Sequence, residues 1–273
     1  LNLCFSEANR RGIICKGRNL CGLDLFFSYN AGEQTSAQIY FYEQLNKYIP
    51  TINSFAAFSL TEDKLQTNML LAKNSINSTN FALCHRSETE RIRDFFDKWG
   101  KIVLKPVDGW GGVGMALIDN ENTLNALLPF LHQMDVHHYY IEKYIENDHT
   151  DYRIDIVDGE YISCYGRQAS EKDWRTNITS GGHVILREPN DEIVNLAIKA
   201  AKVIDIDIAG VDVLYDREKE EYVVLEVNGI PAFATPEQEE LGLNFNDKKI
   251  EKIVNLIDRK TQGSHDECKK EAS

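Results

Sequence analysis

No stretch of this chain comes near the roughly 18 uninterrupted apolar residues that a membrane-spanning helix needs. The best candidate, Ile193 to Ile204, is broken by Lys199 and Lys202. Basic residues are also short: 30 Lys and Arg stand against 43 Asp and Glu, a formal charge of −13. That balance argues against a dedicated nucleic-acid binder, which carries a basic footprint. No C-x-x-C pair occurs among the six cysteines, Cys4, Cys15, Cys21, Cys84, Cys164 and Cys268. Scattered thiols of this kind fit no zinc motif and read as reduced, so a cytoplasmic location is expected. The histidines are dispersed as well, and the adjacent His137 and His138 would point apart in a strand, against a metal role. No charged-then-apolar leader follows Leu1, and the missing initial Met makes a shortened N-terminal domain the expectation.

What is present describes a globular protein: 273 residues, 42% hydrophobic and 27% charged, enough for a large core and more than one folding unit. Leu23–Phe27 reads as a buried strand. Helical spacing of Ile39, Phe41, Tyr42, Leu45 and Tyr48 marks a helix from Ser36 to Tyr48, ended by Pro50. Thr61 is the expected N-cap of the next helix, with Glu62 and Asp63 in its first turn. Ser87 and Glu90 form a capping-box pattern before Ile92, and Gly100 stops that helix. The period then changes to strands at Ile102–Pro106 and Met115–Ile118, a helix near Thr123–Gln133, and an aromatic strand Tyr139–Ile145. Strands 152–157 and 160–167 meet at Asp158-Gly159, a strong hairpin signal. A polar segment, 168–182, precedes a long helix that starts near Pro189 and runs to about Asp205. Strands Ala209–Tyr215 and Tyr222–Val227 flank a charged turn, a last helix covers roughly 246–259, and the polar tail 262–273 is expected to be disordered. The pattern is α+β with antiparallel hairpins, without the regular alternation of a parallel sheet.

Three groups could carry chemistry. In Lys105-Pro-Val-Asp-Gly109-Trp-Gly111-Gly112-Val-Gly114, four glycines between two strands let backbone N–H groups approach a ligand, and Lys105 supplies a point charge. A flexible surface turn would look the same. It is neither a Walker loop nor a Rossmann fingerprint. In the hairpin near 209–228, residues whose numbers sum to about 438 face one another, which sets Asp212 opposite Glu226 with Asn228 on the same face. Opposed carboxylates repel unless a cation lies between them, and three hard oxygens suit Mg²⁺. A solvated sheet face is the alternative. Repulsion in the metal-free state also implies that Asp212→Ala or Glu226→Ala leaves the fold nearly intact. The third group, Asp173-Trp-Arg175-Thr-Asn177 with Gly181-Gly182, preceded by Arg167, could grip a carboxylate or phosphate, or be a mobile polar loop.

In this order, the groups resemble the ATP-grasp superfamily, and within it the RimK-like amino-acid ligases, from about residue 61 to 232. Glu62-Asp63-Lys64-Leu65 looks like that family's first ATP lysine, and Lys105 in Val-Leu-Lys-Pro looks like the second. Tyr140-Ile-Glu142-Lys143-Tyr144-Ile145 resembles the hinge whose backbone and acidic side chain receive adenine. Asp151-Tyr-Arg153 resembles the segment on the ribose side. The resemblance implies that Gly109, Gly111, Gly112 and Gly114 close over the phosphates. It puts Asp212, Glu226 and Asn228 on the metal, and Arg167, Arg175 and Asn177 near the terminal phosphates and acyl substrate.

Two departures fall on the substrate side: Ser180-Gly181-Gly182 where the family often has Arg-Gly-Gly, and Gly229-Ile-Pro-Ala-Phe233 after the metal residues. The glycine-rich segment also resembles that of bacterial glutathione synthetases, a neighbouring branch.

The implied fold is ATP-grasp, two α+β subdomains (61–141 and 142–261) clamping ATP behind an incomplete N-terminal α/β domain (1–60). The implied cofactors are ATP and Mg²⁺, two ions, with Mn²⁺ as the alternative metal. The implied activity joins a carboxylate to an amine through an acyl phosphate, adding glutamate or another amino acid to a peptide, protein or metabolite acceptor. A glutathione-synthetase-like peptide ligase and a phosphotransferase are the competing activities. No nucleic acid or membrane partner is expected, and a homo-oligomer is left open.

Overall fold

The computed structural model describes residues 6–9, 12–29, 35–106, 114–131, 133–134, 136–171 and 173–271. Three short strands, β1 (Ser6–Asn9), β2 (Gly12–Cys15) and β3 (Arg18–Asn19), pair antiparallel at the N-terminal end. The strand expected over Leu23–Phe27 shrinks to β4 (Phe26–Phe27), and helix α1 (Ser36–Leu45) leads to its parallel partner β5 (Thr51–Ile52). Two helices follow, α2 (Phe55–Thr61) and α3 (Lys64–Lys73). Thr61 therefore ends a helix instead of capping one, because its hydroxyl donates to the Phe58 carbonyl at 2.8 Å. Asp63 is the N-cap of α3, accepting from the Gln66 N–H at 3.0 Å.

The middle of the chain forms β6 (Phe81–His85), α4 (Arg91–Trp99), β7 (Ile102–Pro106), β8 (Ala116–Ile118), α5 (Glu121–Leu131) and β9 (His138–Lys143). Its sheet has the order β6-β9-β7-β8, all antiparallel. Ile92 of α4 and Leu124, Leu128 and Leu131 of α5 share one core with Ile102, Leu104, Ile118 and Ile141 of the strands. The Ser87–Glu90 capping box does not form. Ser87 bonds His85 inside a short 3-10 turn, and α4 begins after Glu90 without a side-chain cap. Gly100 does end α4, at φ 77°.

The larger sheet contains β10 (Thr150–Val157), β11 (Glu160–Gln168), β12 (His183–Ile185), β13 (Ile208–Asp216) and β14 (Glu221–Asn228), with α6 (Asp191–Ile204) between β12 and β13. Its order is β12-β11-β10-β13-β14, again antiparallel throughout. Asp158 and Gly159 both sit at positive φ, 56° and 74°, as a two-residue hairpin turn requires. Side chains alternate between faces with period two. Tyr152, Ile154, Ile156, Val211 and Val213 lie on one face and pack with Ile193, Ala197 and Ile204 of α6. Asp151, Arg153, Asp155 and Asp212 fall on the other.

The chain closes with α7 (Pro236–Glu240) and α8 (Asn246–Glu271). The tail expected to be disordered from 262 is helical as far as Glu271, since α8 runs past 259 without a break. Among the described residues no helix is long and apolar enough to cross a membrane, and Cys15, Cys21, Cys84 and Cys164 are not in disulfides.

Candidate active site

A cleft of about 510 Å³ opens between the two larger sheets. Lys105 enters from β7 and Glu142, Lys143, Tyr144 and Ile145 from the end of β9, while Trp174, Arg175 and Asn177 come from the loop after β11. Val103, Met115, Leu214 and Leu225 supply apolar walls. Leu225 gets there through a bulge. Asp212 pairs with Glu226, as the register arithmetic expected, but Val213 pairs with Val224, which leaves Leu225 as the extra residue.

Lys105 and Glu142 are diagonal neighbours on adjacent strands, because Val103 is the residue directly opposite Glu142. Their side chains form a buried ion pair at 2.5 Å, between Nζ and Oε2. The second oxygen, Oε1, is buried with no hydrogen-bond partner among the described residues. A buried acceptor left open inside a cleft is costly unless a ligand donates to it. An exocyclic amino group suits it.

Beyond the cleft, the charged face of the larger sheet carries an alternating row. Asp151 is opposite Arg167 on β10 and β11, Arg153 is opposite Asp212 on β10 and β13, and Asp212 is opposite Glu226. Arg167 donates to both Asp151 oxygens, at 2.9 and 2.6 Å, and reaches Asp212 Oδ2 at 2.9 Å. Arg153 donates through Nε to Asp212 Oδ1 and through Nη2 to Oδ2, the latter at 3.0 Å. The Thr176 hydroxyl donates to Asp151 at 2.5 Å, which ties the Arg175 loop to the row. Lys64 Nζ lies 3.3 Å from Glu226 Oε1. Burial alone would raise the Asp212 carboxyl; the Arg153 and Arg167 guanidiniums overcome it and hold that group below the ordinary carboxylate range.

This geometry corrects three expectations. Asp212 and Glu226 do face each other, yet their repulsion is already offset by Arg153, Arg167 and Lys64, so Asp212 cannot be removed without stranding buried guanidiniums. Asp151 shows no surface to a ribose: it is fully buried beneath Arg167 and Thr176. Arg167, expected to touch phosphate or acyl substrate, is also buried and lies outside the cleft lining, between Asp151 and Asp212. Arg175 and Asn177 do line the cleft, and Asp173 grips Arg175, with its carboxyl held down to about 2 by that hydrogen bonding. Lys64 stands at the Glu226 end of the site rather than beside Lys105. Gly109, Gly111 and Gly112 lie outside the described residues; Gly114 sits at φ 75°.

Asp212, Glu226 and Asn228 offer hard oxygens, a donor set that fits a hard divalent cation. The Asn228 amide nitrogen stands 3.4 Å from both Asp212 Oδ2 and the Gly210 carbonyl, which leaves its oxygen for another partner. Among the described residues no three His, Cys, Asp or Glu side chains converge on a metal position, so the set depends on the Asn228 amide.

A profile of the RimK-like ATP-grasp domain matches residues 61–253. The chain belongs to that family. Its fold and activity are those of an ATP-grasp enzyme carrying out ATP-dependent amino-acid ligation, with a divalent metal. The tetrahydromethanopterin:alpha-L-glutamate ligase of Methanocaldococcus jannaschii is 30% identical over 249 residues, covering 86% of this chain and 80% of that one. The ribosomal protein bS6--L-glutamate ligase of Escherichia coli K12 is 29% identical over 193 residues, or 70% of this chain. That match spans 62% of the bS6 ligase. Among solved structures, the ATP-grasp ligase PsnB complexed with a minimal precursor superposes with a TM-score of 0.67 at 16% identity, covering 93% of this chain and 85% of PsnB.

Two parts of this RimK-like site escaped the sequence reading. The sequence puts Arg153 in the ribose-side segment and gives no sign of its pairing with Asp212. Thr176 carried no signal at all, since a lone threonine in a polar loop has none. The signal for Arg153 is its register: on β10 it lies directly opposite Asp212, as Glu226 does on β14.

Proposed function

We propose that this enzyme uses Mg²⁺-ATP to join glutamate to an amine- or carboxylate-bearing acceptor, with Mn²⁺ as an alternative metal. The observation that carries the reading is one connected site: a cleft with apolar walls and the open Glu142 oxygen, joined through Thr176 and Asp151 to the Asp212–Glu226 row. Glutamate is favoured because relatives that match 86% and 70% of this chain are named as glutamate ligases.

In this reading the apolar walls Val103, Leu214 and Leu225 sandwich the base, and Glu142 Oε1 accepts from its amino group. The backbone from Lys143 to Ile145 meets the base edge. Lys105 faces the phosphates, and Arg175 and Asn177 flank the transferring group and the acyl substrate. A substrate carboxylate oxygen attacks the γ-phosphorus, ADP leaves, and the amine nitrogen then attacks the acyl carbon and expels phosphate. Arg175 steadies the oxyanion formed in that second step. Arg167 acts from behind, holding Asp151 and Asp212.

Mg²⁺ held by Asp212, Glu226 and Asn228 would supply charge neutralisation of the phosphates. Asp151, Asp212 and Glu226 already balance Arg153, Arg167 and Lys64. The residues therefore fit the metal as its ATP complex better than as a bare ion.

A screen of amino acids against peptide, protein and metabolite acceptors tests the proposal, reading ADP formation and product mass. Glutamate-dependent ADP formation that needs an acceptor supports it. A different obligatory amino acid would overturn the glutamate assignment, and a stable phosphorylated product made without an amine would overturn ligation.

A further inference from the structure

Lys249 is the least expected residue in the molecule. It lies on α8, a helix whose polar residues read as solvated, yet it is completely buried. Its Nζ donates to Asp155 Oδ2 at 2.9 Å, to the Pro231 carbonyl at 2.8 Å and to the Ala232 carbonyl at 2.9 Å. Three acceptors match the three donor positions of an ammonium group, while burial pushes the Asp155 carboxyl up, with the Lys249 ammonium opposing that. Burial pulls the Lys249 ammonium below the ordinary lysine range, and Asp155 offsets part of that. The ring of Phe233 lies 4.7 Å from the charge, with Tyr29 and Phe245 at 5.9 and 5.8 Å.

Residues 229–234 have no regular secondary structure, and side chains from elsewhere hold their backbone. Asn53 donates to the Gly229 carbonyl at 2.8 Å, the Tyr29 hydroxyl donates to the Pro231 carbonyl, and Asn246 brackets Ala234 at 2.9 and 3.0 Å. Lys249 holds the two carbonyls in the middle. The segment leaves directly from Asn228 and packs on Gly210. A Cβ at Gly210 would come within 2.8 Å of Pro231 Cβ and 3.2 Å of Arg153 Cδ. Pro231, Gly210, Arg153 and Asp212 are therefore contiguous.

We propose that Lys249, paired with Asp155, is a positioning residue: by tying the Pro231 and Ala232 carbonyls it fixes residues 229–233 as the wall of the amino-acid site. This rests on the ligase reading above. A buried charge pair is an expensive way to hold a surface loop and often contributes no net stability. Its return is a fixed backbone beside the metal oxygens and Arg153, where a misplacement of about 1 Å costs rate.

The test uses the double variant Lys249→Met with Asp155→Leu, which removes both charges together and avoids stranding either one in the core. Hydrogen–deuterium exchange in the full chain reads the anchoring without any substrate. Amides of 229–234 should exchange about tenfold faster or more, while β10 and α6 keep their protection. Steady-state kinetics with ATP, glutamate and a glutamate-terminated peptide read the consequence. The KM for glutamate or for the peptide should rise roughly tenfold with the KM for ATP unchanged. Unchanged exchange at 229–234 overturns the anchoring role. Faster exchange with unchanged substrate KM values overturns the segment's role as the substrate wall. If the unaltered enzyme forms no glutamate-dependent ADP, the ligase reading fails instead, and the exchange data still decide the anchoring. A double variant that does not fold would make the pair structural and overturn the proposal.

Discussion

Arg153 and Asp212 stand directly opposite one another on β10 and β13, and the guanidinium forks onto both carboxylate oxygens. With Arg167 on its other side, Asp212 is the centre of a buried ionic row and not one half of an unrelieved repulsion. Asp212→Ala is therefore expected to strand two buried guanidiniums and lower stability by roughly 3–5 kcal/mol. Glu226 is partly exposed and meets Lys64 at 3.3 Å, so Glu226→Gln should cost less than about 1 kcal/mol. Both variants should lose turnover. Urea unfolding of the metal-free proteins separates them, and equal stability of the two would contradict the row's role.

The open oxygen of Glu142 makes a second prediction. Glu142→Gln keeps the shape but replaces one acceptor with a donor and weakens the Lys105 pair. ADP affinity should fall roughly ten- to a hundredfold, the range for a hydrogen bond to a charged group. Calorimetric titration with ADP measures it, and an unchanged affinity would place the base elsewhere.

Gly182 packs against the loop that carries Arg175, Thr176 and Asn177. A Cβ there would lie 2.3 Å from the Thr176 carbonyl oxygen, a backbone atom that can only yield by moving the loop. Gly182→Ala should lower kcat about tenfold or more while the far sheet around Ile102 and Ile141 keeps its hydrogen-exchange protection. Full activity would show that the Arg175 loop has slack.

Alkaline pH should weaken the fold. Burial pushes the Cys164 thiol from its ordinary 9.0 up to about 12 and the Tyr161 phenol from 10.0 up to about 12. Tyr29, Tyr42 and Tyr140 are pushed up for the same reason. All of these have folded values above their unfolded ones, so the unfolded chain gives up its protons first. Their contribution is complete below about pH 9 and is lost as pH climbs from there toward 12. The urea midpoint should drop between about pH 8 and about pH 10.5, and a constant or rising midpoint would contradict that burial.

Much of the frame was legible in the order of residues. The Asp158-Gly159 turn and the period of two fixed the β10–β11 hairpin, and simple addition of residue numbers put Asp212 against Glu226. The same arithmetic missed the Leu225 bulge, because one extra residue leaves no mark on composition. It also stopped at the hairpin and did not reach Arg153 or Arg167, whose roles depend on neighbours 59 and 16 residues away in sequence. Lys249 was invisible for a different reason. A lysine on an amphipathic helix normally reaches solvent, and only tertiary packing shows that Asp155 and two carbonyls meet it inside. β6 went unread since Phe81-Ala-Leu-Cys-His85 alternates too weakly to announce a strand.

The central claim is that a carboxylate is activated as an acyl phosphate before an amine attacks it. Transfer of ¹⁸O measures this most directly. The enzyme is given Mg²⁺-ATP, glutamate and a glutamate-terminated peptide, with the carboxyl groups of both labelled, and the released phosphate is examined by mass spectrometry. Each amide bond formed should deliver one labelled oxygen to phosphate, because the carboxylate oxygen that attacked the γ-phosphorus leaves with it. Unlabelled phosphate accompanying amide formation would contradict the account.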